Sequence, residues 1–138
     1  MLKKVISTMI LSAVILGSTT IAANAEKARD AGKNISLTYK VYDSGSGMVN
    51  GSTNGYYYKL TSGKVHANIS SISSKSINLE LVRKGTVFNK SYGTKLLTTT
   101  GNYVWDVDTD SDKYYFMAWG GPRNSTQTVK GVMHDHRP

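Results

Sequence analysis

The 138-residue chain contains no cysteine. That absence removes disulfides, thiol catalysis and thiolate metal sites, and with them the acceptor of a lipobox anchor. No stretch reaches the roughly 20 consecutive apolar residues that a bilayer-spanning helix needs. No segment beyond residue 25 keeps a helical period of apolar positions, which disfavours a parallel sheet with its crossover helices. There is no G-x-S-x-G elbow, and His66 is the only histidine outside the last five residues. No nucleic-acid-binding module is recognisable, so no nucleic acid is expected as a partner. Without a nucleophile and its base the chain is expected not to be an enzyme. A small hydrolase with two carboxylates beside a cleft stands as the third reading, and Asp43, Glu80 and residues 106–112 are the acids it could draw on.

What is present begins with an export signal. Lys3 and Lys4 form a basic start, residues 5–17 are mostly apolar, and Ala23-Asn24-Ala25 is an A-x-A cleavage site. Cleavage after Ala25 predicts a secreted, extracellular protein, and the style of the signal resembles that of Gram-positive bacteria. The organisation expected is a signal peptide over 1–25, a flexible arm over 26–34, one domain over 35–133 and a loose tail over 134–138. The whole chain carries a net charge of +8, which falls to +6 when Lys3 and Lys4 leave with the signal.

Alternation with period two runs through the domain. Ile35, Leu37, Tyr39 and Val41 fall on one face of a first strand, Val65, Ala67 and Ile69 on one face of another. Ile77, Leu79 and Leu81 face in on a third, with Asn78 and Glu80 facing out. Residues 56–60, 86–92, 95–100 and 126–133 read as further strands. Residues 43–55 read as a Gly/Ser/Asn surface loop, and Lys84-Gly85 as a tight hairpin turn with positive φ at glycine. Residues 102–121 read as an aromatic hairpin: Tyr103, Trp105 and Val107 share one face of its first strand, Tyr114, Phe116 and Ala118 one face of its second. About eight short strands at this spacing predict an antiparallel β-sandwich with Greek-key or jelly-roll-like connections, with a small closed β-barrel as the alternative.

Two constellations could carry function. Asp106, Asp108, Asp110 and Asp112 are spaced two apart, so in an extended strand they would point the same way and could share a calcium ion. The spacing departs from an EF-hand loop, and an Asp-rich turn is the competing reading. His134 and His136 could hold a transition metal only in an ordered tail. The second constellation is aromatic. Nine tyrosines are present, and Tyr57, Tyr115 and Trp119 are the candidates for ligand binding, because they lie opposite core-facing neighbours. The first functional reading is therefore a secreted, non-enzymatic binding protein whose partner is an anionic envelope polymer, a glycan or another protein. The alternative is a membrane-active toxin or antimicrobial effector using the aromatic hairpin to insert, with a membrane surface as its contact.

Overall fold

A computed structural model describes residues 32–136, so the signal peptide and all of the expected arm before Gly32 lie outside the described residues. The nine strands are β1 (Lys33–Val41), β2 (Met48–Asn50), β3 (Tyr58–Leu60), β4 (Gly63–Ile72), β5 (Ile77–Arg83), β6 (Lys90–Leu97), β7 (Gly101–Val107), β8 (Ser111–Gly120) and β9 (Ser125–Asp135). No helix occurs among the described residues. All pairings are antiparallel. The first sheet has the order β1-β9-β4-β7. The second has the order β2-β8-β5-β6, and β3 also pairs with β8.

The alternating residues do what a pleated strand demands. Ile35, Leu37, Tyr39 and Val41 are buried on β1, Val65, Ala67 and Ile69 on β4, and Ile77, Leu79 and Leu81 on β5. They join Trp105, Tyr114, Phe116, Val129 and Met133 in one hydrophobic cluster drawn from both sheets. At its centre Trp105 of β7 lies 5.5 Å from Phe116 of β8, and Tyr58 of β3 lies 5.6 Å from Phe116. Burying each such side chain stabilises the fold by about 1.5–3 kcal/mol.

Four expectations are corrected. The sheets are not closed into a barrel: β6 and β7 come together without a shared ladder. A β-bulge opens β6 around Gly93, whose φ is 108°, and it turns the Gly93 carbonyl toward Trp105 Nε1, which donates to it at 3.0 Å. Residues 102–121 are not a hairpin, because β7 pairs with β4 in the first sheet and β8 pairs with β2, β3 and β5 in the second. The tail is ordered through Asp135, as β9 pairs with β4 as far as Val65 opposite Asp135. The turn after β5 also differs. It spans residues 84–89, Gly85 keeps a negative φ, and Val87 and Phe88 lie in it instead of in a strand.

Candidate functional site

The outward face of the second sheet is set by register. Met48, Trp119, Asn78 and Leu96 stand in one row across β2, β8, β5 and β6. Asn50, Met117, Glu80 and Thr94 form the next row, and Tyr115, Val82 and Ser91 the third. On β2, β8 and β5 their neighbours along the strand are in the core, so pleating turns these side chains away from it. Water would normally face polar residues here. Instead Met48 is 56% and Leu96 52% exposed, with Trp119 and Met117 half-buried between them. A shallow cavity of about 430 Å³ is lined by residues 45–48 with Glu80, Met117 and Trp119. It combines an indole face with one carboxylate, and the amides of Asn78 and Asn50 stand in the two adjoining rows.

The opposite end of the same face is cationic. Lys59 on β3 and Lys113 on β8 alternate with core residues and so point outward. Lys84 follows the outward-facing Val82, and its backbone N–H donates to the Lys113 carbonyl at 3.0 Å. A cavity of about 530 Å³ is lined by Tyr57, Lys84, Gly85, Thr86 and Lys113. The Lys113 ammonium lies 5.1 Å from the centre of the Tyr57 ring, a cation–π contact. Beside this end the β5–β6 loop exposes Val87 and Phe88.

The residues singled out for ligand binding are divided by this geometry. Trp119 is half-buried on the open face. Tyr115 also points outward but is only 2% exposed, because Tyr57 packs edge-on against it at 6.1 Å and Asn89 Nδ2 donates to its hydroxyl at 3.1 Å. Burial pushes the Tyr115 hydroxyl's pKa up. A ligand would meet Tyr57, which is half-buried, and not the ring beneath it.

The four aspartates do not converge. Asp106 is on β7 and pairs with Lys64 at 3.2 Å. Asp108 lies in the connection and is bound by the Lys90 ammonium and the Tyr92 hydroxyl, each at 2.5 Å. These hydrogen bonds, Lys90 first, hold its carboxyl well below the usual carboxylate range. Asp110 accepts from the Ser62 backbone N–H at 2.8 Å, and Asp112 is exposed on β8. The chain changes sheet between Asp106 and Asp112, so the extended geometry that would align them ends at Val107. Among the described residues no group of three or more histidines and acids is placed to hold a metal ion.

One polar cluster escaped the sequence. Asp135 is buried, and its Oδ2 accepts from the Thr61 hydroxyl at 2.8 Å and the Thr61 backbone N–H at 3.1 Å. His136 Nε2 lies 2.8 Å from the same hydroxyl, and His136 sits at φ 68°. The hydroxyl proton is directed to the carboxylate and not to the imidazole. The group clasps the end of β9 to the β3–β4 turn.

No family model matches this chain. No curated protein and no solved structure matches it either. Function must be read from the faces themselves. The exposed Met48, Leu96, Val87 and Phe88 were hidden in the sequence because a loop methionine and a short apolar run look like ordinary strand content. Only the register and the bulge at Gly93 reveal which side of the sheet they occupy.

Proposed function

We propose that this is an exported, non-enzymatic binding protein in which the two sheets form a face-to-face, Greek-key-like sandwich, and that the outward face of its second sheet takes a glycan of the cell envelope. The observation that carries the reading is the row of Met48, Trp119, Asn78 and Leu96, three of the four apolar where an outward face is ordinarily polar. An indole can lie against the C–H face of a sugar, and Asn78, Asn50 and Glu80 beside it supply donors and acceptors for hydroxyls. The sandwich is favoured by the single core cluster fed from both sheets. Export is favoured by the basic start, the apolar run and the Ala23-Asn24-Ala25 site, and the net positive charge suits a wall rich in anionic polymers.

The test is retention on purified cell walls stripped of protein, at low and high salt. Stacking survives salt, whereas purely electrostatic retention does not. Trp119→Ala is expected to weaken retention about tenfold or more. Absence of retention at both salts, or equal retention of the Trp119→Ala variant, removes the glycan reading. Retention only on walls that keep their proteins moves the partner to a protein.

A further inference from the structure

We propose that the β5–β6 loop and the lysines beside it dock the protein on an anionic lipid surface. This goes beyond the glycan reading and uses the other end of the sheet. Val87 and Phe88 are 78% and 85% exposed, the highest values among the large exposed hydrophobic residues. They are adjacent in sequence at the tip of the loop joining β5 to β6. Leaving both in water is unfavourable unless an apolar phase receives them.

The tip is braced. Asn89 Oδ1 accepts from the Gly85 N–H at 3.3 Å, and the same side chain's Nδ2 donates to Tyr115. A Cβ at Gly85 would collide with the Phe88 carbonyl oxygen, so the loop closes in this form only because residue 85 is glycine. Val87 and Phe88 are therefore held outward.

Charge tells what the tip faces. Lys59, Lys84 and Lys113 come from three different segments and lie on the same outward end of the sheet. The two ion pairs found among the described residues, Lys64–Asp106 and Lys90–Asp108, use none of them. Tyr57 stands among them with its ring against Lys113, and an amphipathic ring of this kind suits the boundary between headgroup and acyl chain. Glu80, the acid on this face, belongs to the row of Asn50 and Met117, away from the lysines. Three cations at the end of the sheet that carries the exposed apolar pair match an anionic headgroup layer over an acyl phase. A soluble phosphodiester polymer would satisfy the lysines alone and leave Val87 and Phe88 in water.

The absence of cysteine provides a site-specific readout. Thr86→Cys places one thiol in the loop, exposed beside the two apolar residues, for an environment-sensitive fluorophore. The labelled protein is mixed with phosphatidylcholine vesicles with and without phosphatidylglycerol, and separately with inorganic polyphosphate. A blue shift and brighter emission are expected on the phosphatidylglycerol vesicles only. Attachment through any other part of the chain leaves the label in water. Val87→Ser with Phe88→Ser should weaken vesicle partitioning about tenfold or more, with an unchanged thermal midpoint and unchanged polyphosphate binding. Lys84→Gln and Lys113→Gln should each weaken it about fivefold at low salt. The proposal is overturned if the label reports water on anionic vesicles, if polyphosphate produces the same blue shift, or if the paired serine substitutions leave partitioning unchanged.

Discussion

Two stretches of this chain carry the same local pattern, an apolar run, a polar turn and a second apolar run, and they fold to opposite ends. Residues 77–97 form a true hairpin, with β5 and β6 paired side by side. Residues 101–120 do not, since β7 joins the first sheet and β8 the second. The hairpin puts Val87 and Phe88 in solvent, whereas the split pair puts Trp105 and Phe116 in the core, 5.5 Å apart. The difference lies in what each strand finds beside it. Local pattern specifies which residues alternate. The neighbour that completes the ladder is set by the long-range pairings of β4 and β8. Aromatic content in residues 101–120 is therefore structural, and the apolar tip of residues 77–97 is available for contact.

The largest test of that contrast is thermodynamic. Trp105→Ala removes a buried ring and its bond to the Gly93 carbonyl, and should lower the unfolding free energy by about 3–5 kcal/mol in urea. Phe88→Ser should move it by no more than about 0.5 kcal/mol. Comparable losses from the two substitutions would mean that the loop packs as core and that the contrast is false.

Alkaline pH probes the same junction from β8. The Tyr39 hydroxyl of β1 donates to the Gly120 carbonyl at 2.6 Å, and burial pushes its pKa from 10.0 up to about 12. The folded state thus holds the phenolic proton more tightly than the unfolded chain does. The stability it contributes is complete below pH 10 and is lost as pH rises from about 10 to about 12. Tyr39→Phe should reduce the dependence of the urea midpoint on pH over that window, leaving the share of the buried Tyr58 and Tyr114 hydroxyls, whose pKa values burial also raises, and an unchanged slope would show that Tyr39 contributes none of it. A smaller effect is expected at the clasp. Thr61→Val leaves the buried Asp135 without its hydroxyl donor and should cost about 1–3 kcal/mol. A neutral result there would show that the end of β9 contributes little to the closure of the first sheet.

Much of this architecture was legible along each strand and little of it across strands. The alternations at Ile35–Val41, Val65–Ile69 and Ile77–Leu81 identified both the strands and their buried faces, because pleating is a local property. Asn78 and Glu80 were readable as outward for the same reason. Trp119 was recognisable as a contact candidate from its place opposite Ala118. Tyr115, in an equivalent position, was not recognisable as covered, since its cover comes from Tyr57 and Asn89. The exposed loop was misread because Val87 and Phe88 resemble strand content, and because the bulge at Gly93 shifts the return strand to begin at Lys90. The clasp of Thr61, Asp135 and His136 joins residues more than seventy positions apart, a separation that no local pattern spans.

The smallest expected effect concerns the acidic connection that carries the chain between the sheets. If Asp106, Asp108, Asp110 and Asp112 formed one site, calcium would bind the folded state and raise the melting midpoint by mass action. The geometry separates them: Asp106 is committed to Lys64, Asp108 to Lys90 and Tyr92, and Asp110 to the Ser62 N–H. Calcium would have to break those contacts and draw together carboxylates from strands of different sheets. Millimolar calcium is therefore expected to leave the midpoint where chelator leaves it. Asp108→Asn, which removes a half-exposed ion pair, is likewise expected to shift it little. A calcium-dependent rise abolished by Asp108→Asn would require the connection to close around the ion. It would then act as a joint that ties the sheets together, in contrast to the passive crossing that its present hydrogen bonds describe.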